Sequence, residues 1–261
     1  FSDDIRDAVK GHYSNAADPG FASGKPGNEE TVKLGIVGAT AHPQIDFSKC
    51  NNSKFGYATH PVQVVNYVSC HDDLCLTDKL SKSMPGTTVE ERVAVAKLAQ
   101  TIVFTSQGIP FMFTGEEIFR DKKGVHNSYN SPDSINAIDW NQKKEYRDLF
   151  DYYKGIINIR KLHPAFRMTT AEDVAKNLVF DEVNEPNVIS YSLKNNANGD
   201  SWNEIKVIFN GATKANVVEI PEGEWTIVVK DGKADEAGLG TTNGGKLEVA
   251  ARTALILARV N

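Results

Sequence analysis

The first part of the chain alternates between buried-strand and amphipathic-helix patterns. The run "PVQVVNYVSC" (61–70) is apolar, β-branched and polar at its end, which predicts a buried strand delivering side chains to its carboxyl end. The run "GIPFMFTGEE" (108–117) predicts a second such strand. Amphipathic helices are predicted over 87–106 and over 145–163, the latter stopped by Pro164. This strand–helix rhythm indicates an α/β fold, and a barrel and a doubly wound sheet both fit it.

The helix predicted over 87–106 carries its own start signal. Thr87 or Thr88 can cap it, and Glu90 and Glu91 fall in its first turn, where carboxylates favour the helix dipole. Apolar side chains recur at helical spacing and predict a buried face. This face consists of Val89, Val93, Ala96, Ala99 and Val103, widened by Val95, Leu98 and Ile102.

After Pro164 the pattern becomes one of short β-rich runs separated by Asn, Gly and Pro clusters. Such runs with alternating polarity predict an antiparallel β-sandwich. We therefore predict two domains, an α/β part over 1–164 and a β-sandwich over 165–261. The predicted strands lie within 177–180, 187–193, 204–211, 216–220, 224–232, 246–250 and 252–260.

Composition excludes several classes of protein. A net charge of −5 without a basic stripe argues against nucleic-acid binding. No apolar run approaches the roughly 18–20 residues of a membrane helix. Three cysteines are too few for a disulfide scaffold. The start, "FSDDIRDAVKG", has neither an initiator Met nor a signal-peptide pattern, so we expect the chain to be a fragment of a longer polypeptide.

The segment "NYVSCHDDLCLTD" (66–78) concentrates reactive side chains: Cys70, His71, Asp72, Asp73 and Cys75. A structural zinc site needs four ligands, usually in two pairs, and no second Cys/His pair follows. A redox C-x-x-C has two residues between its cysteines, whereas four stand between these. We therefore interpret both cysteines as small buried packing residues.

The two aspartates directly follow a predicted strand, where an α/β barrel presents its active-site face. Adjacent aspartates point in different directions, so one can face a pocket while the other caps the next turn or helix. Position alone favours capping and solvation over catalysis for Asp72 and Asp73.

The segment 106–140 combines a strand entry at Gly108, a turn at Gly115 and a long polar loop. Amide, carboxylate and aromatic groups together suit a sugar, whose hydroxyls they bond and whose ring faces they stack on. Taken alone, an ordinary loop with Asx turns is the favoured interpretation. The groups in question are Arg120, His126, Asn127, Tyr129, Asn130, Asp133, Asn136 and Trp140.

Read together, "VNYVSCHDDLCLTDKL" (65–80), "SQGIPFMFTGEE" (106–117) and "HNSYNSPDSINAIDW" (126–140) resemble the carboxyl-terminal part of type I pullulanases. These are α-1,6-debranching enzymes of the α-amylase superfamily. The start, 1–11, looks like a segment shortly after their acid/base glutamate. The similarity spans most of the predicted barrel part, and the sandwich fits the family's carboxyl-terminal domain.

The resemblance implies a fold and a site. It makes 62–70 the seventh and 109–115 the eighth strand of a (β/α)8 barrel, of which this chain carries the carboxyl-terminal portion. The family's His-Asp-Asn motif appears here as His71-Asp72-Asp73. By resemblance Asp72 is the carboxylate that stabilises the transition state and His71 a donor to sugar hydroxyls, while Asp73 departs from the usual Asn. After these two residues, the resemblance implies further substrate contacts at Asn127, Tyr129, Asn130 and Asp133.

The resemblance also defines what these residues lack. A retaining glycosidase needs a nucleophile and an acid/base carboxyl roughly 5–5.5 Å apart. The family motifs that carry them, after the fourth and fifth strands, do not occur in this sequence. We therefore predict that the chain is inert alone and needs the upstream part of the same polypeptide to complete the barrel.

The resemblance further implies an α-glucan as the partner and a location outside the cell or in its envelope. No cofactor is required by the residues seen and no metal site is assigned, although scattered Asp and Asn residues can hold one structural calcium ion. Two alternatives stay open. One is a non-catalytic carbohydrate-binding or interaction module. The other is a small α/β enzyme in which Asp72 and His71 form a proton-transfer pair.

Overall fold

The computed structural model describes residues 1–260. Its α-helices are α1 (Asp3–Lys10), α2 (Glu29–Ile36), α3 (Leu76–Ser83), α4 (Val89–Thr105), α5 (Asp133–Asn136), α6 (Gln142–Glu145), α7 (Arg147–Leu162) and α8 (Ala171–Asn177). Its strands are β1 (Val65–Asn66), β2 (Ile109–Pro110), β3 (Leu178–Phe180), β4 (Val188–Leu193), β5 (Glu204–Asn210), β6 (Asn216–Ile220), β7 (Trp225–Lys230), β8 (Lys233–Ala234), β9 (Gly240–Thr242), β10 (Gly245–Val249) and β11 (Thr253–Arg259).

The barrel part contains the two predicted parallel strands, but both are short. Val65 of β1 lies opposite Ile109 of β2, and the amide of Phe111 donates to the carbonyl of Asn66 at 2.8 Å. The predicted strands over 61–70 and 108–117 are thus cut back to two residues each. Pro61 starts a 3₁₀ turn, and Pro110 has no N–H to donate to the ladder.

The predicted helix over 87–106 is α4. Thr88 caps it, and its Oγ1 accepts from the Glu91 amide at 3.2 Å while Glu91 Oε2 accepts from the Thr88 amide at 2.9 Å. The predicted face is buried from Val95 onward, whereas Val93 is partly buried and Val89 is 38 % exposed. The buried members are Val95, Ala96, Leu98, Ala99, Ile102 and Val103.

The helix predicted over 145–163 is α7, and it ends before Pro164 as expected. Its buried face packs on α4, and the hydroxyls of Thr101 and Tyr152 lie 2.6 Å apart between the two helices. Among residues 1–260, no helix combines the length and the apolar character needed to cross a membrane.

The sandwich consists of a seven-stranded sheet, in the order β3-β4-β5-β11-β7-β8 with β9 beside β7, and a separate ribbon of β6 and β10. Strand pairing in both sheets is antiparallel. Each of the seven predicted runs overlaps a strand, and β8 and β9 were not predicted because they are two or three residues long in a Gly-rich segment. A small core lies between the sheets: Val188, Ile208, Ile220, Trp225, Val249, Leu255 and Leu257.

One hydrophobic core crosses the predicted domain boundary. It includes Ile102 of α4 in the first part and Ile256 of β11 in the second. Polar contacts cross the boundary too: the Tyr191 hydroxyl donates to the Thr105 carbonyl at 3.2 Å, and His163 Nδ1 lies 2.8 Å from Asp200 Oδ1. The sandwich is therefore packed directly on the helices that support the barrel strands. The division between 164 and 165 itself stays a prediction.

Candidate functional site

The turn after β1 carries the two best candidate site residues. The chain is buried through Ser69 and then emerges, so that the side chains of His71 and Asp72 are 77 % and 66 % exposed. His71 Nε2 lies 3.3 Å from Asp72 Oδ2. A carboxylate and an imidazole thus stand side by side on an open surface at the carboxyl end of a parallel strand.

Asp73 has a different role from Asp72. Its backbone φ is +59°, in the left-handed region that Asp and Asn enter more readily than most residues. Its Oδ1 lies 3.2 Å from His126 Nε2, at the start of the polar loop 126–136. Asp73 therefore reverses the chain and links the turn to that loop.

The backbone of the turn is held by two buried lysines that the sequence analysis missed. Lys122 Nζ donates to the carbonyls of His71 and Asp73 at 3.1 and 2.8 Å. Lys10 Nζ, from the end of α1, donates to the Leu74 carbonyl at 3.0 Å. Burial lowers the pKa of Lys10 to about 8. No sequence signal separated these lysines from solvated ones, since each stands in a charged, polar stretch.

Asp78 in α3 organises the next layer. Its carboxylate accepts from the amides of Lys122 and Gly124, both at 2.8 Å, and from Cys75 Sγ at 3.1 Å. Burial raises the pKa of the Cys75 thiol to about 12, which leaves little thiolate near neutral pH. Cys75 is buried as predicted, whereas Cys70 is only half-buried. Within the part of the chain that the structure describes, no group of three His, Cys, Asp or Glu side chains is placed to hold a metal ion.

The turn after β2 is built around Gly115. Its φ is +97°, and a Cβ there would lie 2.6 Å from Arg120 Cδ, so only glycine fits. The next residue, Glu116, points into the protein, where Gln100 Nε2 donates to it at 2.6 Å. Burial raises the pKa of Glu116 to about 7. Glu116 is thus a buried supporting residue, not a group facing solvent.

The polar loop 126–136 is folded by its own side chains. Asn136 Nδ2 donates to the carbonyls of Ser128 and Ser131 at 2.6 and 2.9 Å, and Arg120 Nη2 donates to the Asn136 carbonyl at 2.7 Å. Four candidate contacts are exposed, and within residues 1–260 their side chains make no hydrogen bond. They are Asn127, Tyr129, Asn130 and Asp133, with Tyr129 75 % exposed.

The site thus has two parts, the turn and the polar loop. The structure brings His71 and Asp72 into contact and joins their turn to the loop through the pair of Asp73 and His126. The four exposed loop residues follow directly after that junction, and their side chains point to solvent instead of contacting Asp72.

Comparisons with known proteins agree with one another. The family described as pullulanase, all-beta domain, matches residues 174–233. A pullulanase from Bacillus subtilis (strain 168) is 34 % identical over 212 residues, which are 81 % of this chain and 28 % of that protein. The structure of a pullulanase from Bacillus acidopullulyticus superposes with a TM-score of 0.90 at 38 % identity, over 99 % of this chain and 30 % of that one.

A pullulanase from Paenibacillus barengoltzii, in complex with maltohexaose and α-cyclodextrin, superposes with a TM-score of 0.86 at 36 % identity. The match covers 100 % of this chain and 38 % of that one. The chain therefore spans less than two fifths of the length of these three relatives.

The barrel portion followed by an antiparallel sandwich is the architecture that this chain shares with these pullulanase structures. The chain is homologous to the carboxyl-terminal region of pullulanases. The resemblance found in the sequence is thereby confirmed.

Proposed function

We propose that the chain is the carboxyl-terminal part of a retaining glycoside hydrolase that cleaves α-1,6-glucosidic linkages in pullulan and branched α-glucans. The homologous pullulanases support this activity, and the Paenibacillus relative binds maltohexaose and α-cyclodextrin. In this proposal Asp72 stabilises the transition state, and His71 donates to a sugar hydroxyl at the cleavage subsite.

The observation that carries the proposal is the exposed pair of His71 and Asp72 on a turn with a fixed backbone. Glycoside cleavage passes through an oxocarbenium-like state in which the sugar ring is distorted. A carboxylate that binds ring hydroxyls more strongly in that state lowers the barrier without tightening substrate binding equally. Asp72 is free to do so, since its near neighbour in the described residues is an exposed imidazole.

The loop 126–136 is the proposed contact surface for the glucan. The ring of Tyr129 is open to solvent and can stack on a pyranose face, while Asn127, Asn130 and Asp133 offer amide and carboxylate groups to hydroxyls. These groups supply binding and orientation. The nucleophile and the acid/base carboxyl belong, in this proposal, to the upstream part of the polypeptide.

The test is Asp72→Asn in the full-length polypeptide, assayed on pullulan. We expect kcat to fall by more than about 100-fold with little change in KM, because an interaction of the transition state is lost. Asp121→Asn, at an exposed carboxylate before Lys122, is the matched control and should stay within about 3-fold.

Two results decide against this proposal. Turnover by Asp72→Asn within a few-fold of wild type would remove Asp72 from the catalytic role. Maltotriose binding by a wild-type full-length polypeptide that fails to hydrolyse pullulan would favour the non-catalytic carbohydrate-binding module instead.

A further inference from the structure

Lys10 and Lys122 are buried lysines with an unusual set of partners. Their side chains are 2 % and 1 % exposed, yet among residues 1–260 neither lies within ion-pair distance of a carboxylate. Their hydrogen bonds go to three main-chain carbonyls, those of His71, Asp73 and Leu74. Two ammonium groups are therefore buried against one turn.

Burial of an unpaired charge is costly, and an apolar side chain of similar length would remove that cost. What a buried ammonium group provides instead is several directed hydrogen bonds at once. Asp73 makes this arrangement possible: its left-handed backbone turns the carbonyls of residues 71 and 73 toward the same Nζ of Lys122. With these carbonyls directed inward, the side chains of His71 and Asp72 face outward.

The two lysines belong to separate elements of the chain. Lys10 ends α1, whereas Lys122 lies in the segment after β2, where its amide donates to Asp78 at 2.8 Å. The turn is thus held between two separate elements.

We propose that Lys122 and Lys10 are positioning residues for the reaction, holding the backbone of residues 71–74 so that the Asp72 carboxylate meets the sugar ring in a fixed orientation. This inference rests on the proposed function. A displacement of a reacting group by about 1 Å can cost about 100-fold in rate, so a modest loosening of the turn has a large effect.

The test is a double-mutant cycle in the full-length polypeptide on pullulan. Lys122→Met keeps the length of the side chain and removes its charge and donors. Alone, it should lower kcat about 10- to 100-fold and leave KM within about 3-fold. In the Asp72→Asn background it should lower kcat by less than about 3-fold more, because the group it positions is already gone.

Lys79→Met is the matched control for loss of a buried lysine. Lys79 is 1 % exposed, and its Nζ donates to the carbonyls of His12 and Asn15, in a loop that carries no proposed site residue. It should destabilise the protein comparably and leave kcat within about 3-fold. The exposed Lys123→Met, next to Lys122, controls for surface charge and should change neither.

Several outcomes overturn the inference. These are an unchanged kcat in Lys122→Met, an equal loss of kcat in Lys79→Met, or a full multiplicative loss of kcat in the Asp72→Asn background. An active wild type with an inactive Asp72→Asn but a normal Lys122→Met would overturn the positioning role and leave the proposed function standing. A wild type unable to cleave pullulan would overturn the proposed function first.

If Lys122→Met does not fold, Lys10→Met takes its place in the same cycle with the same expectations. Hydrogen exchange gives a readout that does not depend on activity. The amide of Leu76, which donates to Ser69 Oγ at 2.8 Å where the turn ends, should exchange at least about 10-fold faster in either variant, with the sandwich strands unchanged. Equal exchange of that amide would contradict the hold on the turn.

Discussion

The two parts of this molecule satisfy their buried backbone in different ways. In the sandwich the carbonyls and amides pair along ladders, for instance over the seven residues of β11 against β5. In the barrel part β1 and β2 are two residues long, and many main-chain carbonyls accept hydrogen bonds from side chains instead. Arg160, for example, donates from Nη1 to the carbonyls of Phe104 and Ser106 at 2.8 and 2.7 Å.

The distribution of buried charge follows from this difference. Within residues 165–260 the buried charged side chains are Asp200 and Lys206. Within 1–164 they are Asp4, Arg6, Asp7, Lys10, Asp78, Lys79, Lys97, Glu116, Arg120, Lys122 and Arg160. A site built on irregular backbone needs such side chains to hold it, whereas a sandwich of regular ladders does not. Three stability measurements, in addition to the two kinetic experiments, test this difference between the sandwich and the barrel part.

The largest stability effect is expected in the sandwich. Trp225 is fully buried between the two sheets, and its Nε1 donates to the Pro221 carbonyl at 2.8 Å. Trp225→Ala should lower the free energy of unfolding by about 3–5 kcal/mol through lost burial and a cavity, equally at pH 5 and pH 8. Urea unfolding at both pH values measures this.

The control for that variant is Val217→Ala on the ribbon, where the side chain is 56 % exposed and the loss should stay below about 0.5 kcal/mol. If the loss of unfolding free energy in Trp225→Ala depended on pH, the sandwich would not differ from the barrel part in being stabilised by apolar burial.

Glu116→Gln tests the barrel part. The folded protein holds the Glu116 proton up to a pKa of about 7, whereas the unfolded chain releases it near 4.5. The contribution of Glu116 to wild-type stability therefore falls as the pH rises from 4.5 to 7, and a Gln at this position avoids that loss. Relative to wild type, the variant should gain about 3 kcal/mol between pH 4.5 and 8, at about 1.4 kcal/mol per pKa unit.

The measurement is urea unfolding of both proteins across this pH range. A difference between variant and wild type that stays constant from pH 4.5 to 8 would show that burial of the Glu116 carboxyl is not coupled to folding. Buried charge would then contribute less to the difference in stability between the barrel part and the sandwich than proposed.

The smallest effect is expected at the start of α4. Thr88→Ala removes the hydroxyl that accepts from the Glu91 amide and should cost about 1 kcal/mol at pH 7. Thr88→Ser keeps the acceptor and should cost only a few tenths. Equal losses in the two variants would mean that the cap contributes little, leaving packing alone to stabilise this helix.

The parts of the fold that were predictable are those in which local pattern and tertiary environment agree. The strands of the sandwich show alternating or continuous apolar runs between turn residues, so each run was recognised. The helix α4 was found from its cap and its period. The lengths of β1 and β2 were wrong, since apolar character in 61–70 reflects burial and not ladder pairing.

The candidate site divides in the same way. Residue type, order and family resemblance pointed to His71 and Asp72 and to the loop after Val125, and the roles of these residues stay predictions. Nothing in the sequence pointed to Lys10, Lys122, Asp78 or Glu116. Each is a charged residue that would normally be assigned to the surface, because Lys, Asp and Glu are seldom fully buried.

The sequence pattern by itself determined an α/β part followed by the strands of a sandwich, because these depend on periodicity within short stretches. The resemblance to pullulanases added the barrel and the candidate catalytic turn. Only the tertiary structure decided which charges are buried and what they hold. Those contacts join positions far apart in the chain, such as Lys10 with Leu74 and Lys122 with His71. The sequence does not show whether the ammonium group of a lysine is hydrated or binds the carbonyls of a turn. That depends on the neighbouring residues, which exclude water from the ammonium group once the chain is folded.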